Sequence, residues 1–310
     1  MKYLVTGGAG FIGSNIVRKL IEQGKSVRVI DNFSSGRRSN IEPILDQIEF
    51  IEGDVRDFWT VNRAVQGIDY VMHQAALPSV QRSIDNPLTS NEVNINGTLN
   101  LLEAARFHKV KRFVYASSSS IYGDTEVMPK NESMPPSPLS PYAISKLAGE
   151  NYCRIFYQLY GLETVALRYF NVFGPNQNPY SQYSAVIPKM ITALLKGKQP
   201  TIYGDGEQSR DFTYIDNVVN ANLLACRSEG GVGKVMNIAC GDEYSLNILM
   251  GKLNSIIGSE IKPIYTDSKP GDIKRSLADI SLARENLKYE TTVGLDEGLL
   301  KTVEYFRSTV

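Results

Sequence analysis

Histidine is almost absent from this chain. Its 310 residues include only His73 and His108, with no CxxC or HxxxH spacing, so a zinc site is not expected. Cysteine is nearly as scarce. Cys153, Cys226 and Cys240 are far apart and odd in number, which argues against a disulfide framework and for a reducing, cytoplasmic setting. There is no excess of charge: 33 basic residues balance 33 acidic ones, leaving no footprint for nucleic acid or an anionic membrane surface. No run approaches the roughly 18 unbroken apolar residues of a spanning helix. Glycines interrupt the first apolar run, "YLVTGGAGFIG", where a signal peptide would be continuous. Internal repeats and low-complexity tracts are also missing. What remains is an ordinary globular composition, 42% hydrophobic and 21% charged, long enough for one large domain or two modest ones.

The first half alternates two periods. "KYLVT", "SVRVID", "IEFIEGD", "DYVMHQA" and "RFVYAS" are short apolar strands. Between them, "FIGSNIVRKLIEQG" and "NINGTLNLLEAARFHK" carry helical spacing. Strands alternating with helices predict an α/β fold: a doubly wound, Rossmann-type parallel sheet covered on both faces. The pattern loosens near Gly174, at "GPNQNPYSQYS". The expected division is residues 1–173 for the sheet domain and 174–310 for a smaller α/β substrate-binding lobe. Residues near 212–240 should return to the first domain, because "VMNIACG" is again a buried strand.

"VTGGAGFIGS" follows the first strand and opens the first helix. Gly7, Gly10 and Gly13 allow a tight turn and close backbone approach, and a helix N-terminus offers free N–H groups to a pyrophosphate. Asp31 ends the next strand, 18 residues after Gly13. A carboxylate there accepts both hydroxyls of an adenosine ribose and repels a 2′-phosphate, which favours NAD over NADP. Arg37 and Arg38, close behind, are the residues that could favour NADP instead. Asp54 follows the third strand, and "HQAA" (His73–Ala76) ends the fourth at the sheet edge where ligands of such folds bind.

"SPYAISK" places Tyr142 and Lys146 one helical turn apart on one face. A lysine ammonium beside a tyrosine favours the phenolate, a competent general base for a hydroxyl. "ASSSSIYGD" packs four serines directly behind an apolar strand.

Taken together, "TGGAGFIG", "DNFSSG", "GDVRD", "HQAA", "NINGT", "SSSSIYG", "SPYAISK" and "RYFNVFGP" resemble the extended short-chain dehydrogenase/reductase family. Within it the chain is most similar to the nucleoside-diphosphate-sugar 4-epimerases, through "VIPKMI", "YGDGEQSRDFTYIDNV" and "KPGDIKRSLADI" as well. The resemblance implies a tightly held NAD and a UDP-sugar substrate. It implies a cytoplasmic homodimer whose helices around Thr98–Phe107 and Tyr142–Tyr160 form an intermolecular four-helix bundle. "YCRIFYQLYG" is also too apolar around its circumference for a fully solvated face. The catalytic hydroxyl is implied four residues before Tyr122, at Ser118, with Ser117 structural. Ser119 and Ser120 occupy positions where sugar 4,6-dehydratases carry Asp and Glu, so water elimination is not expected. Uronate epimerisation or decarboxylation is the rival reaction, and a catalytically silent NAD-binding regulator the rival of another class.

Carried over position by position, the resemblance extends the NAD site to Phe11, Ile12, Asn32, Ser35 and Gly36. It adds Val55, Gln74, Ala75, Ala76, Asn94 and Phe170. Asn171 and Arg210 are implied on the substrate diphosphate, Tyr203 on uracil and Asp272 on the uridine ribose. Lys269 stands where the family usually has arginine, keeping the charge without the fork. Ser79, Ser120, Val186, Lys189 and Gln208 complete the implied substrate site. Ser276 stands where glucose/galactose-restricted epimerases carry tyrosine, which leaves room for an N-acetyl group. Gln177 and Ala185 point the same way, whereas Pro78, beside Ser79, departs from the Gly-Ser pair of the N-acetyl subgroup.

Overall fold

The computed structural model describes residues 1–180, 185–268 and 273–309. Lys269 and Asp272 therefore lie outside the described residues. Six strands open the chain: β1 (Lys2–Thr6), β2 (Ser26–Asp31), β3 (Glu49–Glu52), β4 (Tyr70–His73), β5 (Arg112–Ser118) and β6 (Thr164–Tyr169). With Val235–Ile238 they form one parallel sheet, in the order Val235–Ile238, β6, β5, β4, β1, β2, β3. The order reverses between β1 and β4, and a crevice opens there beyond the carboxyl ends of the strands.

Strand alternation explains why both faces are covered. Tyr3 and Val5 of β1 point into one core and Leu4 into the other. Val114 and Ala116 of β5 divide from Phe113 and Tyr115 in the same way. Helices α1 (Phe11–Glu22) and Ile215–Ala225 close the first core with Ile16, Val17 and Val218. Helices α2 (Phe58–Val65), α5 (Gly97–Phe107) and α6 (Pro141–Tyr160) close the second with Val61, Leu101 and Phe156. Two short helices, α3 (Val80–Asp85) and α4 (Pro87–Asn91), precede α5.

Helical spacing in "NINGTLNLLEAARFHK" conceals one irregularity. Glu92–Asn96 winds as a π-helical turn, and the regular helix starts only at Gly97. The wider turn accompanies a buried Asn94 whose side chain bonds outside its own helix.

The later residues add helices and short strands outside that sheet. Helices Val186–Leu195, Leu246–Ile257 and Leu295–Thr309 pack together, and Ser209–Arg210 lies between Tyr244–Ser245 and Arg275–Ser276 in a short sheet. Among the described residues no helix is long and apolar enough to cross a membrane.

Candidate active site

A cavity of about 840 Å³ runs from Asp31 and Gly36, past Tyr142, to Arg210 and Ser276. Its floor at one end is the glycine turn. Gly7 has φ +68°, and a Cβ on it would stand 2.8 Å from the Ala75 backbone. A Cβ on Gly13 would stand 2.1 Å from the Gly7 carbonyl oxygen. These residues are glycine because two backbone segments touch there. The N-terminus of α1 has no side-chain cap, so its first N–H groups remain available to a ligand.

Asp31 is buried beneath this turn. Its carboxylate accepts the Ala9 N–H at 2.9 Å and the Phe33 N–H at 2.8 Å. Burial pushes its carboxyl up from the usual range, and these backbone bonds oppose the shift. Arg38 is turned away, paired with Glu52 at 3.2 Å and lying over the Phe33 ring. Arg37 lines the cavity, with its guanidinium on the Asn176 carbonyl and the Asn40 side chain. Asp54 is held by Arg56 and Asn32, and the Arg56 guanidinium keeps its carboxyl below the usual range.

At the exit of β4 the chain is set by a buried relay. The Thr98 hydroxyl donates to the Asn94 carbonyl at 2.6 Å, so it accepts from His73 Nε2 at 2.9 Å. His73 Nδ1 then accepts from the Thr6 hydroxyl at 2.7 Å, and that oxygen accepts the Ala75 N–H at 3.1 Å. His73 is neutral, its pKa driven down to about 3 by burial and then by the Lys146 charge.

The serine run lies across the crevice. Ser117 points down, donating to the buried Glu150, which also pairs with Arg168 at 2.8 Å. Ser118, at the end of β5, accepts from the Ser120 N–H and hydroxyl at 3.2 and 2.9 Å. Both it and the Tyr142 side chain line the cavity. Ser140 caps α6 by accepting the Ala143 N–H, and Ser83 of α3 accepts the Tyr142 N–H at 3.0 Å, which fixes the tyrosine over the serine turn. Burial raises the Tyr142 pKa, and the Ser118 side chain opposes the shift. Lys146 sits one turn below, donating to the Ala116 carbonyl at 2.7 Å, with its Nζ 6.0 Å from the Tyr142 ring centre. Burial lowers it to about 8. It is buried under the tyrosine and does not itself line the cavity.

At the far end Asn171, Gln177, Ala185, Arg210 and Ser276 line the cavity, as do Pro78 and Ser79. Arg210 is steadied by the Ser209 carbonyl at 2.8 Å. Several sequence expectations fall elsewhere. Asn94 does not line the cavity: it is buried, accepting the Leu77 N–H and donating to Ser145, and so braces the β4 exit against α6. Phe170 is wholly inside the core. Val186, Lys189, Tyr203 and Gln208 are not among the described residues that line the cavity, and the Gln208 amide is spent on the Tyr203 carbonyl at 2.6 Å. In the other direction, Lys130 lines the cavity although nothing in "MPKNES" marks it, because a lysine beside proline reads as surface loop. The Glu150–Arg168 pair was equally hidden, its partners 18 residues apart on different elements.

Residues 3–239 match the model of the NAD dependent epimerase/dehydratase family. The chain belongs to that family. It is 42% identical to the UDP-N-acetylglucosamine 4-epimerase of Methanobrevibacter ruminantium M1, solved with UDP-N-acetylmuramic acid, over 100% of this chain and 99% of that one, with a TM-score of 0.95. It is 41% identical to the UDP-glucose 4-epimerase of Thermotoga maritima, solved with UDP-glucose, with the same coverage and TM-score. The UDP-glucose 4-epimerase of Thermus thermophilus, solved with NAD, is 37% identical over 100% of both chains, with a TM-score of 0.91. The cofactor of this family is NAD, and the residues here fit it. The Gly7–Gly13 contact leaves no side chain where a pyrophosphate would lie, and Asp31 stands at the end of β2 where an adenosine ribose would reach it.

Proposed function

We propose that this protein is a UDP-hexose 4-epimerase. The observation that carries the reading is that Ser118 and Tyr142 line the cavity with Lys146 buried beneath the tyrosine, while Ser119 and Ser120 occupy the positions of dehydratase acids. The glycine turn and Asp31 would hold NAD, which when bound would supply the hydride acceptor and donor for C4. Tyr142, as phenolate, accepts the O4 proton with Ser118 as the hydrogen-bonded relay, and gives it back when the 4-keto sugar is reduced. The Lys146 ammonium stabilises the phenolate. Asn171 and Arg210 hold the diphosphate, so the keto sugar can turn and present its other face while tethered. Lys269 and Asp272 would complete that grip.

Within this reaction the N-acetylated sugars UDP-GlcNAc and UDP-GalNAc are substrates alongside UDP-Glc and UDP-Gal. Ser276 is a small side chain on the cavity wall, and it supports this reading together with Gln177 and Ala185. The working form is a homodimer through α5 and α6. Phe107, Ile144, Leu159 and Tyr160 support it, each more than half exposed or nearly so on those two helices. Light scattering at micromolar concentration should return twice the chain mass, and a monomer would remove this claim.

The activity is tested by incubating the NAD-loaded protein with UDP-Glc, UDP-GlcNAc and UDP-glucuronate and separating the products. C4 epimers of the first two are expected. A 4-keto-6-deoxy sugar, a pentose, or epimerisation of the uronate alone would overturn the reading, and no turnover of any sugar would favour a regulatory protein.

A further inference from the structure

Lys130 has no part in the chemistry above, yet it is a buried ammonium on the wall of the substrate cavity. Only 1% of it is exposed. Its backbone is fixed on both sides. The Lys130 N–H donates to the Leu277 carbonyl at 2.8 Å, and its own carbonyl accepts from Asp279 N and from the Asn237 amide at 2.8 and 3.0 Å. The residue therefore runs beside the segment that carries Ser276. Its ammonium donates to the Gly123 carbonyl at 3.0 Å, just past the serine turn. That bond uses one of three N–H donors. Among the described residues no carboxylate pairs with it at salt-bridge distance. Burial and the neighbouring Arg210 charge hold it below the usual lysine range, against a weaker pull from Asp124.

A buried ammonium with so little compensation is costly unless a ligand supplies acceptors. The position selects the ligand group. Gly123 follows the serine turn whose Ser117–Ser120 line the cavity, and Lys130 pairs with Leu277, next to Ser276, the small wall residue at the site proposed for the C2 substituent. A C2 hydroxyl is short and can itself donate. An acylamino group reaches further and ends in a carbonyl oxygen that only accepts. We infer that Lys130 is a specificity-determining residue, its ammonium donating to the carbonyl oxygen of a C2 acylamino group. The inference rests on the proposed epimerase reading and narrows its substrate class.

The test compares kcat/KM for UDP-GlcNAc and UDP-Glc in the NAD-loaded native protein and in Lys130→Met. The ratio favouring UDP-GlcNAc should fall roughly 10- to 100-fold, as expected for losing a charged hydrogen bond. If Lys130→Met does not fold, Lys130→Gln keeps a donor for Gly123 and carries the same comparison. An equal loss on both sugars would mean that Lys130 only ties down Gly123, and would overturn the inference while leaving the epimerase reading intact. A loss confined to UDP-glucuronate would overturn it in favour of a C6 carboxylate. A native protein that turns over UDP-Glc and rejects UDP-GlcNAc would remove the N-acetyl reading and this inference together.

Discussion

Lys146→Met isolates the electrostatic part of the proposed mechanism. The Lys146 Nζ lies 6.0 Å from the Tyr142 ring centre. The phenolate charge would sit on the ring oxygen; for a separation on the order of 6 Å and an effective dielectric of about 20, the pair would interact by about 3 kcal/mol. That equals about two units in the tyrosine pKa, at about 1.36 kcal/mol per unit. Methionine keeps the length of the stem and removes the charge. Below pH 8 the phenolate fraction should fall about 100-fold, and kcat with it. The effect should depend on pH in a set direction. Burial lowers the Lys146 ammonium to about 8, so the native protein loses the stabilising charge as pH rises past that value. The native-to-variant ratio of kcat should be greatest at pH 6–7.5 and should shrink above 8. The assay is UDP-Glc to UDP-Gal conversion at saturating substrate, on protein whose bound NAD has been quantified. A constant ratio across this range would show that Lys146 acts through its bond to the Ala116 carbonyl instead, and would refute the argument.

Ser276→Tyr should narrow the cavity on the proposed C2 side; overpacking costs about 1–3 kcal/mol, so kcat/KM for UDP-GlcNAc should fall about one to two decades further than for UDP-Glc. Equal slowing of both sugars would mean that position 276 is not the gate. Gly13→Ala forces a Cβ to 2.1 Å from the Gly7 carbonyl oxygen, and the turn must give way. The variant should purify with little NAD and unfold with about 1–3 kcal/mol less stability by urea titration. His73 is neutral in the fold, with a pKa of about 3 against 6.5 unfolded. Its contribution is complete above pH 6.5 and is lost as pH falls toward 3, about 2 kcal/mol of it by pH 5. Urea unfolding at pH 7 and 5 should show that slope, and His73→Gln should flatten it.

Local sequence determined the parallel sheet and the cofactor end of the site. A strand's period of two, a helix's period of 3.6 and a glycine turn are short-range signals. So Gly7, Gly13 and Asp31 were legible, because one strand–turn–helix unit and the strand after it carry them all. Tyr142 and Lys146 were legible for a similar reason: one helical turn puts them on one face. The sequence was less informative wherever a side chain's role depends on a partner far along the chain. Asn94 could be placed near the cofactor, but a π-turn and the Leu77 backbone make it a brace instead. Tyr203 and Gln208 are not among the described residues that line the cavity, and the Gln208 amide is spent on the Tyr203 carbonyl. Glu150 and Arg168 became a buried pair only when α6 crossed β6. Lys130 shows the limit most plainly. Its charge would suit an exposed loop, and bonds to Leu277, Asp279 and Asn237 pull it under the substrate cavity. Burial is a property of the assembled fold, and only the tertiary structure decided which charges lost their water.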